Sequence, residues 1–351
     1  MNPAFQTFLS ATTEDRRDAF LGTARRLGTP APNIEKDFWV CWTLDALFNG
    51  VAANGPRLLF KGGTSLSKAF GLISRFSEDI DITIFREDLG QAAGVDDLET
   101  LSGKKRQARL DAIKAASQLH VAHAMRSGLT RKLDAALLAA GLPPASARIE
   151  VDPDDLDHQS LLIWYPQVTA AADGYIRPAV KIEAGAKSAL DPNRPAVIRP
   201  YVADDIADMD LSVANITTVL AERTFWDKVV ILHGLRQWFE KRGVLRGEAQ
   251  RVSRHYYDVY RLLGSDTGRD AARDRDLAVD CVRHARMFFN SADLNLATAA
   301  PGGFTLSPNP AMAAALARDY AAMSGMIFGH PPPLADILQH IAELEVDINA
   351  V

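Results

Sequence analysis

Polar and apolar residues alternate in a way that changes character along the chain. Over residues 13–27 the pattern is helical. Thr13 stands at the start, Glu14 and Asp15 follow in the first turn, and Arg25 and Arg26 close the last one. A second helix is expected over 34–48, ending at Asn49-Gly50. The short run Leu58-Leu59-Phe60 before Gly62-Gly63 reads as a buried strand, and 65–73 as a short helix. Asp79-Ile80-Asp81-Ile82-Thr83-Ile84 alternates with period two, which predicts a strand with both carboxylates on one face. Residues 104–140 read as a long helical region, and 147–151, 160–165 and 178–183 as further strands. From 211 onward the pattern is helical: 211–242, 253–263, 270–289, 310–326 and 334–349, with a loop over 298–308. Strands are therefore expected only in about the first two hundred residues. This is an α+β arrangement, divided as a strand-bearing domain over 1–205 and a helical domain over 206–351.

Composition adds bounds. A chain of 351 residues is long for one small domain and suits two lobes. With 47% hydrophobic residues it can build a sizeable core. The net charge of −5 argues against a dedicated nucleic-acid binder while leaving room for a local basic patch. The long helical region supplies one, through Lys104, Lys105, Arg106, Arg109, Lys114, Arg126, Arg131 and Lys132, either as a solvated face or as a phosphate-tracking surface. Two cysteines, Cys41 and Cys281, form neither a metal-ligand pair nor a disulfide framework, which suits a reducing cytoplasm. No secretory leader and no run of eighteen apolar residues are visible, so neither export nor a membrane partner is expected.

The candidate chemistry lies between Lys61-Gly62-Gly63-Thr64-Ser65 and Ser77-Glu78-Asp79-Ile80-Asp81. Two carboxylates at i and i+2 on a strand can share one hard cation or bridge two. A Gly-Gly turn lets backbone N–H groups approach phosphates closely. Thr64 or Ser65 could add a hydroxyl donor and cap the helix that follows. The spacing of a P-loop is absent, so Lys68 is not read as a P-loop lysine. A tight turn and a solvent-facing strand edge remain the plainer alternatives for the two halves.

These segments resemble the DNA polymerase β-like nucleotidyltransferase superfamily and, within it, the AbiEii/AbiGii toxin family of abortive-infection and toxin–antitoxin systems. Arg75-Phe76-Ser77-Glu78-Asp79-Ile80-Asp81 is similar to the family's most specific motif. Ile34 to Val40, Val180 to Glu183, Glu222 to Lys228, Arg254 to Asp258, and Asp319-Tyr320 with Met323 resemble further family segments in the expected order. The resemblance spans nearly the whole chain. Fifteen residues separate Gly63 from Asp79, a longer gap than usual, and His255 stands where some relatives carry an acid.

The resemblance implies a nucleotidyltransferase lobe with a mixed sheet followed by a helical lobe. It implies a nucleoside triphosphate substrate and Mg²⁺, or Mn²⁺ in its place. Asp79 and Asp81 would hold the metal, with Glu183 as a third acid. Lys61, Gly62, Gly63, Thr64, Ser65, Ser77, Lys181 and Arg254 would surround the nucleotide, and Lys228 and Asp258 would complete the catalytic set. For several of these a simpler role stays open: a surface ion pair for Lys181 and Glu183, a snorkelling surface lysine for Lys228, an intrahelical ion pair for Arg254 and Asp258, a turn serine for Ser77. The family context further implies a cytoplasmic, phage-defence toxin restrained by a cognate antitoxin or its product, with an RNA acceptor such as the tRNA 3′ end. Transfer to a protein or small molecule, or nucleotide binding without turnover, are the rival readings.

Overall fold

The computed structural model describes residues 1–169, 177–247 and 251–350. In chain order the first elements are α1 (Pro3–Leu9), α2 (Thr13–Leu27), α3 (Ala31–Asp45), β1 (Leu58–Lys61), α4 (Gly62–Lys68), β2 (Asp79–Ile84), α5 (Val95–Glu99), α6 (Gly103–His120) and α7 (Arg126–Ala139). Four strands follow: β3 (Arg148–Val151), β4 (Ser160–Trp164), β5 (Ala179–Gly185) and β6 (Asn193–Ile198). The chain closes with β7 (Val213–Val219), α8 (Ala221–Arg242), α9 (Ser253–Leu263), α10 (Asp266–Arg273), α11 (Arg275–Phe288), α12 (Pro310–Met323) and α13 (Leu334–Asn349). The α+β class holds.

The described residues form two compact units. The strand-bearing unit comprises Met1–Ala69, Phe76–Ala93 and the described part of Gly103–Val219. The helical unit comprises Phe70–Arg75, Gly94–Ser102 and the described residues from Leu220 onward.

In the strand-bearing unit all seven strands form one sheet in the order β3-β4-β5-β2-β1-β7-β6. It is mixed: β2 runs antiparallel to β1 and parallel to β5, and β1 runs parallel to β7. The centre is therefore β5-β2-β1, and the Asp79–Ile84 strand lies inside the sheet, not at an edge. Pro195 lies in β6, an outermost strand, where the missing N–H disturbs no inner ladder. Helix α3 is the core of this unit. Every residue from Pro32 to Asp45 is buried, and Trp39 stacks on Tyr165 at 5.3 Å between ring centroids.

In the helical unit, α8 packs against α9, α10 and α11, and α12 and α13 cover α9. The apolar face of α8 carries Phe225, Trp226, Val229 and Leu232, all buried. The indole N–H of Trp226 donates to the carbonyl of Ala271 at 2.8 Å, which ties α8 to α10.

Several expectations need correction. The single helix over 211–242 is a strand, β7, followed by α8, so strands extend beyond the first two hundred residues. The β-branched residues Val213, Ile216, Thr217, Thr218 and Val219 favour the pleated sheet over a helix. Strand β6 and helix α1 were not anticipated. The helix over 270–289 is two helices, broken where the Asp274 carboxylate caps the N–H of Leu277 at 2.9 Å. The short helix begins at Gly62 instead of Ser65 and ends at Lys68. The region 104–140 is α6 and α7 joined by a widened turn over Val121–Met125.

Candidate active site

The sheet brings five charged residues to one face. Side chains at i and i+2 on a strand point the same way, and residues in register on neighbouring strands lie side by side about 4.8 Å apart. Asp79 pairs with Lys181 and Asp81 with Glu183 across β2 and β5. Lys61 pairs with Asp81 across β1 and β2. Lys61, Asp79, Asp81, Lys181 and Glu183 therefore share a face, and the Lys61 ammonium lies 3.8 Å from the Asp81 carboxylate. Their neighbours Phe60, Ile80, Ile82 and Ile182 face the other way and are fully buried.

Lys181 is clamped. Its Nζ lies 3.1 Å from Glu183 Oε1 and 3.1 Å from Asp152 Oδ2. Burial alone would lower its pKa, but Glu183 and Asp152 outweigh that and hold the ammonium above its ordinary value. Asp152, at the end of β3 and itself buried, had no sequence signal marking it out.

The glycine turn fits the first expectation only in part. Gly62 has φ +78°, a conformation that L side chains rarely adopt. A Cβ on Gly62 would fall 2.1 Å from Asp81 Oδ2, so the carboxylate lies directly against the turn. Thr64 and Ser65 sit inside the first turn of α4 and do not cap it. The residue before the helix, Lys61, makes no side-chain cap bond. The Thr64 hydroxyl donates to the carbonyl of Asp79 and lies 2.8 Å from Ser77 Oγ. The Ser65 hydroxyl donates to the carbonyl of Gly62 at 2.9 Å. Thr64 and Ser77 thus lace the start of α4 to the start of β2.

Among the described residues no three His, Cys, Asp or Glu side chains gather as a cation-binding set. The carboxylate of Glu183, the expected third acid, meets Lys181 through Oε1. Asp79 and Asp81 alone still suit a magnesium-like cation, which typically takes one or two carboxylates and completes its shell with water and substrate phosphate. The absent Cβ at Gly62 leaves the Asp81 carboxylate a cradle at the turn.

The helical unit holds a second charged group. Asp258 on α9 receives Arg75 through two parallel bonds, Nε to Oδ1 at 2.7 Å and a terminal nitrogen to Oδ2 at 2.8 Å. Lys228 on α8 donates to the same Oδ2 at 2.8 Å. Burial would raise the Asp258 pKa, but Arg75 and then Lys228 hold it far below the carboxylate range. Lys228 moves down, because burial outweighs its attraction to Asp258 and Arg75 adds repulsion. The snorkelling alternative for Lys228 does not apply, since it is buried. Nor is Asp258 bound to Arg254; its carboxylate is taken up by Arg75 and Lys228. Next to it, burial, with Lys228 and Arg254, pushes the His255 imidazole well below its ordinary value. Its Nδ1 is buried without a hydrogen-bond partner.

Both charged groups lie in segments that match a known family. The family model described as nucleotidyl transferase AbiEii toxin, type IV toxin–antitoxin system, matches residues 45–341. The chain belongs to the AbiEii toxin family. It is accordingly a nucleotidyltransferase of a toxin–antitoxin family, which implies a nucleoside triphosphate substrate and an antitoxin partner. Among solved structures it is similar to MenT4, a nucleotidyltransferase toxin from Mycobacterium tuberculosis H37Rv. The identity is 15%, the match covers 94% of this chain and 97% of that one, and the TM-score is 0.43. No curated protein matches. No helix among the described residues of this AbiEii-family chain is long and apolar enough to cross a membrane.

Two participants escaped the sequence reading of this AbiEii chain. Arg75 stood in the motif but received no role, because nothing local shows that its partner lies 183 residues away. Asp152 sits in an acidic loop stretch whose four aspartates look alike in sequence.

Proposed function

We propose that the protein transfers a nucleotide from a nucleoside triphosphate to an RNA hydroxyl, the tRNA 3′ end being the acceptor tested first. In this reaction the acceptor oxygen forms a bond to the α-phosphorus. The bond from that phosphorus to the bridging oxygen breaks, pyrophosphate leaves, and the hydroxyl proton is released. The observation that carries the reading is the register of β1, β2 and β5, which lines up Lys61, Asp79, Asp81, Lys181 and Glu183 on one face beside the Gly62 turn.

Asp79 and Asp81 would hold a divalent cation, Mg²⁺ or Mn²⁺, which supplies charge neutralisation for the phosphates when bound. Backbone N–H groups at Gly62 and Gly63, with Lys61 and Lys181, are assigned to phosphate oxygens. Thr64, Ser65 and Ser77 are assigned to shaping that turn, because their hydroxyls are engaged within it. In the helical unit Lys228 is assigned to the Asp258 cluster, since its buried ammonium already meets that carboxylate. Asp258 is assigned to positioning Lys228 and Arg75, since its buried carboxylate already meets both. That occupancy speaks against a direct role on the acceptor.

The long basic stretch supports RNA contact less than its composition suggests. Arg109 donates to Gln91 and Ala92, Lys114 pairs with Asp157, and Arg126 donates to Ile149. Lys104, Lys105, Arg131 and Lys132 are exposed and carry the reading. Reversing those four charges is expected to weaken RNA binding and flatten its salt dependence.

The deciding experiment is label transfer from each α-labelled nucleoside triphosphate to total bacterial RNA, with Mg²⁺ and with Asp79→Asn alongside. Label on a tRNA-sized band that the variant loses supports the proposal. Label on protein or a small alcohol, with RNA untouched, replaces the acceptor. Nucleotide bound without transfer to any acceptor favours the binding-only reading.

A further inference from the structure

Helix α3 carries three consecutive charged residues, Glu35, Lys36 and Asp37, and all three are buried. A charge removed from water is costly unless it is paired. Each of these has its own partner within the strand-bearing unit. Glu35 accepts from the N–H groups of Val168 and Thr169, at 2.7 and 2.9 Å. The Lys36 ammonium donates to Glu78 Oε2 at 2.6 Å. Asp37 takes the Lys68 ammonium and the N–H of Tyr201, the latter at 2.7 Å. Lys68 also lies 3.2 Å from the centre of the Tyr201 ring.

The two ion pairs fall at telling places. Lys68 is the last residue of α4, the helix that opens at Gly62. Glu78 is the residue immediately before Asp79. Lys36 and Asp37 therefore grip the two ends of the stretch 69–77. Part of that stretch, Phe70–Arg75, clusters with the other unit. The return of the chain into β2 is fixed by Lys36 on one side and by the Thr64 bond to the Asp79 carbonyl on the other. A buried ion pair adds little net stability over an apolar pair of equal volume, but it accepts only its own partner in one geometry.

We infer that Lys36 and Asp37 are positioning residues of the transfer site, setting where Asp79 stands relative to the Gly62 turn. The inference rests on the reading of Asp79 and Gly62 as parts of that site.

Lys36→Met alone takes the ammonium away from the buried Glu78 carboxylate and weakens the fold, so the deciding variant is Lys36→Met with Glu78→Gln. Three properties are read: melting temperature, hydrogen exchange of the amides over 76–81, and the kinetics of transfer. The double variant is expected to melt close to the parent. Its amides over 76–81 should exchange faster, and kcat should fall roughly 10- to 100-fold with KM little changed, because a small misplacement of a reacting group is enough for that loss. Lys36→Arg, which keeps the ion pair, should restore both. Asp37→Leu with Lys68→Met is read in the same way over 62–68. Parent-like exchange in the double variants overturns the inference, whether or not kcat changes. Should the parent itself transfer no label, the transfer reading fails, and exchange alone still decides whether α3 holds this segment.

Discussion

Asp258 in the helical unit is wholly buried, and its carboxylate meets two cations. On the sheet face of the other unit, the Asp81 side chain is 27% exposed and that of Glu183 is 44% exposed. Both groups mix carboxylates with Lys or Arg, yet they handle charge in opposite ways. Around Asp258, two cations share one anion, and each group is shielded from water. On the sheet face, carboxylates outnumber the cations within reach, and one side stays open. A closed cluster spends its electrostatics on holding protein atoms in place. An open one keeps a field that a cation and phosphates can enter.

The comparison breaks or sharpens at four points. Asp258→Ala has the largest expected effect. It removes the buried carboxylate that Arg75 and Lys228 share, and stability should fall by about 3–5 kcal/mol, read as a lower urea midpoint at unchanged slope. A loss no larger than that of an ordinary surface substitution would mean that the cluster is hydrated, and the contrast would disappear. Asp79→Asn should do the reverse: transfer falls roughly 10²- to 10³-fold while the urea midpoint holds. Equal destabilisation by the two variants would place both groups in the structural class.

Gly62→Ala comes next. The left-handed backbone costs roughly 1–2 kcal/mol for an L side chain, and the new methyl must displace the Asp81 carboxylate. Stability and transfer should therefore fall together, whereas Gly71→Ala, also at positive φ but with open space around it, should lose stability alone. The smallest effect is on pH dependence. His255 in the folded chain titrates below its unfolded value of about 6.5. The unfolded chain then binds the extra proton, so its contribution is full above that value and is lost as pH falls toward the folded one. Urea midpoints of His255→Gln should decline less than those of the parent between pH 7 and pH 5. Parallel declines would remove His255 from the account.

The strand Asp79–Ile84 was legible from the sequence because its alternation is local, and the same is true of α2, α9 and α13. The pair Gly62 and Asp81 was legible as chemistry but not as a contact, since the register of β1 against β2 is a property of the sheet. Helix α3 shows the opposite failure. No local pattern marks the charges of Glu35-Lys36-Asp37 as buried, and only the distant partners Val168, Glu78 and Lys68 explain their burial. Strand β7 was masked by running directly into α8, with Leu220 alone between them. The role of Arg75 depends on α9, far along the chain, so no window of neighbours could show it.

Helix α3 also decides how this protein can be taken apart. Its three charges draw their partners from residues 68, 78, 168–169 and 201, more than a hundred residues of chain in all. A fragment that stops short of any of these would carry a helix with an unmatched charge in its middle. Any graft of the Gly62–Asp81 segment onto another scaffold would need Lys36 and Asp37 to travel with it. The smallest transplantable piece is therefore set by buried electrostatics and not by the limits of the motif.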